Sequence, residues 1–134
     1  MHHWDLLREH IQRNYQVTAD ERISHPTMNW HGLRFVADPT GTDARFVHAD
    51  MRSGRGREYV VVAAGIATID EVSFVEMIEF MSTKLLERVI ATRAGELILQ
   101  EAVPMDQVEP AVLDSMIENV LALARVLRQS YPRM

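Results

Sequence analysis

Tyr59-Val60-Val61-Val62-Ala63-Ala64, running on through Gly65-Ile66-Ala67-Thr68 to Ile69, is the stretch whose reading decides the fold. It is apolar on consecutive positions and rich in β-branched residues. That pattern fits a strand that is central or buried on both faces, not one wetted on alternate residues. An amphipathic helical pattern follows over residues 73–86, then an apolar hairpin over 89–103, then a long helical pattern over 107–130. Strand, helix, hairpin and helix in that order describe a sheet with helices packed on it.

Working outward toward the N-terminus, residues 2–16 read as a first helix. Trp4, Leu7, Ile11 and Tyr15 recur at helical spacing and form one stripe, flanked by His3, His10 and Asn14, while Arg8, Glu9 and Arg13 fall on the wet side. Val17-Thr18-Ala19-Asp20 leaves the helix, and Pro26 limits any strand before it to a short or irregular one. Residues 28–37, 44–51 and 59–69 then read as three strands. The turn formers Asp38-Pro39-Thr40-Gly41 and Arg52-Ser53-Gly54-Arg55-Gly56-Arg57 divide them. Short turns between neighbours predict an antiparallel meander.

Outward in the other direction, Phe74, Met77, Ile78, Met81 and Leu85 share one core-facing stripe of the middle helix. Val75 and Phe80 lie off that stripe on opposite flanks, with Leu86 beside them if the helix runs so far. Large apolar residues outside a core stripe mark a second buried contact, so these three are the candidates for a dimer interface. Thr92-Arg93-Ala94-Gly95-Glu96 divides the hairpin, and Pro104 ends it. Asp106-Gln107-Val108-Glu109 has the spacing of a helix cap, with Pro110 tolerated in the first turn. Leu113, Met116, Ile117, Val120, Ala124, Leu127 and Tyr131 make the last core stripe. The expected fold class is α+β: helix, three-strand antiparallel meander, helix, two-strand hairpin, helix, with helices packed on an antiparallel sheet. No linker or repeat divides residues 1–134, so one domain is expected.

Composition narrows the function classes. There is no Cys, so neither disulfides nor thiolates are available to hold the fold or a metal. Net charge is −5, and its distribution is uneven. Eight Arg balance eight acidic residues over 1–69, whereas eleven acids face Lys84, Arg88 and Arg93 over 70–118, and Arg125, Arg128 and Arg133 close the chain. An acidic middle argues against nucleic acid, which needs a contiguous basic surface. The N-terminal residues have no basic segment leading into an apolar one, and the longest apolar run is too short to span a bilayer, so a cytoplasmic protein without membrane contact is expected.

Nothing in the chain has the spacing of a catalytic motif. Six His are scattered without a paired metal-ligand spacing, so no metal or cofactor is expected. No Ser sits in a nucleophile elbow. Carboxylate pairs such as Glu76 with Glu79, or Asp114 with Glu118, lie on polar helix faces, where solvation keeps them ordinary. Gly54-Arg55-Gly56-Arg57 lacks the spacing of a phosphate loop and joins two strands instead of opening a helix. Trp4 reads as core or as the rim of a peptide groove. Trp30 stands near a strand start between Asn29 and His31, where an exposed binding position is open to it.

Assembled, the order and spacing of elements resemble the YbjN-like and class I type III secretion chaperone-like superfamily. The segments that carry the resemblance are Tyr59-Val60-Val61-Val62-Ala63-Ala64, Phe74-Val75-Glu76-Met77-Ile78, the hairpin 89–99 and the helix 113–127. The match is one of pattern, best over residues 33–131, and the superfamily has no invariant catalytic motif. The resemblance implies a non-enzymatic protein, commonly a homodimer, that binds an extended segment of a client protein. The middle helix then helps form the dimer, which suits Val75, Phe80 and Leu86. The first helix and the sheet carry partner surfaces, which suits Trp4, Leu6 and Trp30. Two other readings stand beside it. One is a small-ligand or enzymatic domain built on His31 and His48 with Arg34 or Arg45, which requires these side chains to converge. The other is a structural subunit of a larger complex.

Overall fold

The computed structural model describes residues 3–25, 28–36, 46–54, 56–68, 89–93 and 96–130. Helix α1 is His3–Asn14. Six strands follow: β1 Gln16–His25, β2 Met28–Val36, β3 Phe46–Gly54, β4 Arg57–Thr68, β5 Val89–Arg93 and β6 Glu96–Pro104. A 3-10 turn, Met105–Gln107, leads to helix α2, Pro110–Ser130. Val75, Phe80 and Leu86, with the whole pattern over residues 73–86, lie outside the described residues, as does Arg45.

The strands form one sheet in the order β1-β2-β3-β4-β6-β5, every pairing antiparallel. The α+β class with helices against an antiparallel sheet is therefore as expected. The deciding stretch is central: β4 lies between β3 and β6, and Val60, Val61, Val62, Ala63 and Ala64 are all buried. A strand with neighbours on both sides and cover on both faces has no position left for a polar side chain.

The core lies between one face of the sheet and the two helices. Leu33, Phe35, Val47, Ala49, Val60, Val62, Ala64 and Leu99 point into it from the strands. Trp4, Leu7 and Ile11 come from α1, and Leu113, Met116, Ile117, Val120 and Ala124 from α2, as the helical stripes required. Each Val, Leu, Ile, Phe or Met side chain so taken from water contributes about 1.5–3 kcal/mol. Tyr15 follows α1 and still packs on this cluster, its ring 5.0 Å from that of Phe35.

Three expectations are corrected. The meander has four strands, not three, because residues 16–25 form β1 across the full length of β2. β1 runs for ten residues to His25, so it is neither short nor confined by the proline that follows in sequence. The turn after β3 is shorter than expected: Gly54 pairs with Arg57, and Gly56 takes the positive φ of 74° that a tight hairpin needs. Asp106 does not cap the closing helix. It sits in the 3-10 turn, and α2 begins at Pro110, with Leu113 N donating to Glu109 O at 2.9 Å. Proline at the first helical position loses no bond there.

Candidate functional site

β1 is an edge of the sheet, and among the described residues it pairs only with β2. Its register slips between Val17 and Ala19, leaving Thr18 as an extra residue whose Oγ1 donates to Arg34 O at 3.1 Å. Beyond that bulge Asp20, Glu21 and Arg22 are exposed. Asp20 and Arg22 stand opposite Leu33 and His31, on the core side of the sheet, and Glu21 stands opposite Gly32, on the other side. An edge strand offers unpaired N–H and C=O groups, and charges along it decide what can pair there.

Asp20 is tied inward. Trp4 Nε1 donates to His31 Nδ1 at 2.7 Å, and His31 Nε2 lies 2.6 Å from Asp20 Oδ1. An indole N–H only donates, so Nδ1 accepts, the imidazole proton sits on Nε2, and Asp20 Oδ1 accepts the hydrogen bond from it. Arg8 reaches the same corner, its guanidinium 3.9 Å from both Asp5 and Asp20, with Nε buried. Arg8 thus faces one carboxylate of its own helix and one of the edge strand.

A second set of contacts fixes α1 to α2. His3 Nε2 donates to Val108 O. His10 Nε2 lies 2.9 Å from Asp114 Oδ1, which also accepts from the Tyr15 hydroxyl at 2.8 Å. Burial, and then the hydrogen bond and charge of Asp114, push the Tyr15 phenol well above its ordinary value. His3 and His10 are thus fasteners between helices.

The far face of the sheet carries a different group. Trp30, half-buried, lies against Gly32: a Cβ on Gly32 would stand 2.5 Å from Trp30 Cζ2 and 3.3 Å from Asp50 Cβ. Asp50 is 1% exposed and receives Arg52 Nε at 3.0 Å and Nη2 at 3.3 Å. Arg52 is therefore a strand residue holding a buried carboxylate and not part of a phosphate-gripping turn. On α2, Asn119, Ala122, Leu123 and Val126 line a shallow outer groove.

Of the residues singled out for partner contact, Trp4 is buried in the core at 2% exposure, the first of its two readings. Leu6 is exposed on α1, and Trp30 is half-buried on the far face. His31 and His48 are not brought together. His31 faces the core with Leu33 and Phe35, whereas His48 stands opposite Arg34 on the other face. The convergent His site that a ligand-binding or catalytic reading required is absent. Among the described residues no three His, Asp or Glu group as a metal site. The edge strand and the Trp4–His31–Asp20 chain escaped the sequence reading; the charged triplet Asp20-Glu21-Arg22 between Val17 and Ile23 was their visible trace.

The described residues thus form an open antiparallel sheet with α1 and α2 against one face. Among solved structures, a chain in the crystal structure of the ExsC–ExsE complex matches this one with a TM-score of 0.57 at 14% identity. The match covers 75% of this chain and 76% of that chain. The likeness is one of fold and does not single out the YbjN-like branch. No family model matches the chain, and no curated protein does. Among the described residues no helix is long and apolar enough to cross a membrane.

Proposed function

We propose that this chain is a non-enzymatic, cytoplasmic protein-binding module of chaperone-like action, which takes an extended segment of a client protein onto its sheet. The observation that carries the reading is the edge of β1, paired among the described residues on one side only, in a fold shared with a chain of a two-protein complex. Strand addition draws affinity from main-chain hydrogen bonds and is open to clients of differing sequence. Sequestering such a segment lowers its free concentration and opposes its aggregation by mass action. Leu6 and Trp30 supply apolar contact beside the sheet in this reading, and Trp4 supports the edge from beneath. A homodimer through Val75, Phe80 and Leu86 completes it, and the mass in solution tests that part.

The client reading is tested with reduced, carboxymethylated lactalbumin, a permanently unfolded chain, as probe. Fluorescence anisotropy is expected to report binding in the micromolar range. Hydrogen exchange followed by mass spectrometry is expected to show amides of residues 16–25 protected in the complex. Absence of binding removes the client reading; binding with unchanged exchange in β1 removes the edge from it.

A further inference from the structure

Resting on that reading, the charges of β1 also define what kind of segment the edge accepts. Asp20 is held from within the fold by a hydrogen bond to His31 at 2.6 Å and faces the guanidinium charge of Arg8 at 3.9 Å. Glu21 and Arg22 are exposed, and among the described residues neither has an ion-pair partner. They are adjacent, so they stand on opposite faces of the sheet at successive register positions, opposite Gly32 and His31. A strand laid along β1 puts one of its own residues directly opposite each. Opposite charges in such cross-strand positions attract, and like charges repel.

We propose that the edge of β1 selects a client strand carrying an acidic residue followed immediately by a basic one. The order comes from the polarity of pairing. Every pair in the sheet is antiparallel. A client strand that continues this pattern runs against β1, so the residue opposite Arg22 precedes the residue opposite Glu21. Acid therefore comes first and base second, and the reverse order places like charges together on both faces.

The test uses threonine–valine peptides with one of four central pairs: glutamate–lysine, lysine–glutamate, glutamate–glutamate or lysine–lysine. Anisotropy of labelled peptides is read against the full chain and against the double variant Glu21→Arg/Arg22→Glu. Both positions are exposed, so the exchange leaves the core untouched, which circular dichroism verifies. The expected result is a preference of roughly three- to tenfold for glutamate–lysine over lysine–glutamate, inverted by the double variant. Equal binding of all four peptides, or a preference that the exchange does not invert, overturns the charge rule and leaves edge binding standing. Failure of every peptide to bind, together with failure of the unfolded lactalbumin, overturns both.

Discussion

Trp4 and His31 are joined by a hydrogen bond of 2.7 Å between two side chains that are 2% and 4% exposed, with their rings edge to face at 5.7 Å. The bond fixes the imidazole tautomer and links the first turn of α1 to the edge strand through Asp20. Trp4→Phe keeps most of the apolar volume and leaves Nδ1 buried without its donor, which is expected to cost about 1–3 kcal/mol. His31→Leu strands the indole N–H instead, at similar cost. Because both changes break the same bond, the double variant is expected to lose about 1 kcal/mol less than the sum. Urea titration at constant slope measures all three, and strict additivity would show that the bond contributes nothing.

Tyr15 gives the fold an alkaline limit. Its phenol is pushed up by burial and by Asp114, so the folded state keeps its proton where the unfolded chain loses it. The sign follows from linkage. Below the ordinary tyrosine value of about 10 both states are protonated and the contribution is complete; above it only the unfolded state gains by ionising, so stability falls as pH rises. Tyr15→Phe also removes the hydrogen bond to Asp114, at about 1 kcal/mol near neutral pH. Stability measured from pH 8 to 11 is expected to show the gap between wild type and variant narrowing above about pH 10. A gap that stays constant would mean Tyr15 ionises equally easily in both states.

Residues 60–64 were legible because every side chain in the run meets the same environment, on either face of a central strand. The helical stripes were legible for a related reason, since Trp4, Leu7 and Ile11 obey one period without interruption. Strand β1 was not. Val17 stands opposite Phe35 on the core side, whereas Glu21 stands opposite Gly32 on the far side. In a regular strand residues four apart share a face; the extra residue at Thr18 breaks that parity, so no alternating pattern survives to be read. The corner of the candidate site was hidden by distance along the chain. Trp4, Asp20 and His31 come from three elements, and only the pairing of β1 with β2 beneath α1 unites them. His31 and His48 failed to converge for a simpler reason: they stand on opposite sides of one pleated sheet.

Gly32 is where the far face is least tolerant of change. The Cβ introduced by Gly32→Ala would stand 2.5 Å and 2.7 Å from two ring atoms of Trp30 and 3.3 Å from Asp50 Cβ. Asp50 is held by Arg52 and buried, so the indole is the group that must give way. The expected loss is about 1–3 kcal/mol, with tryptophan emission shifted to the red as the ring moves toward water. Trp30→Ala opens the space that the methyl group needs. Adding Gly32→Ala to it is therefore expected to cost less than in wild type, by about 1 kcal/mol. Chemical denaturation of the four proteins and their emission spectra test the relationship. An unshifted spectrum with full additivity would place the ring away from Gly32 and take Trp30 out of the packing of this face.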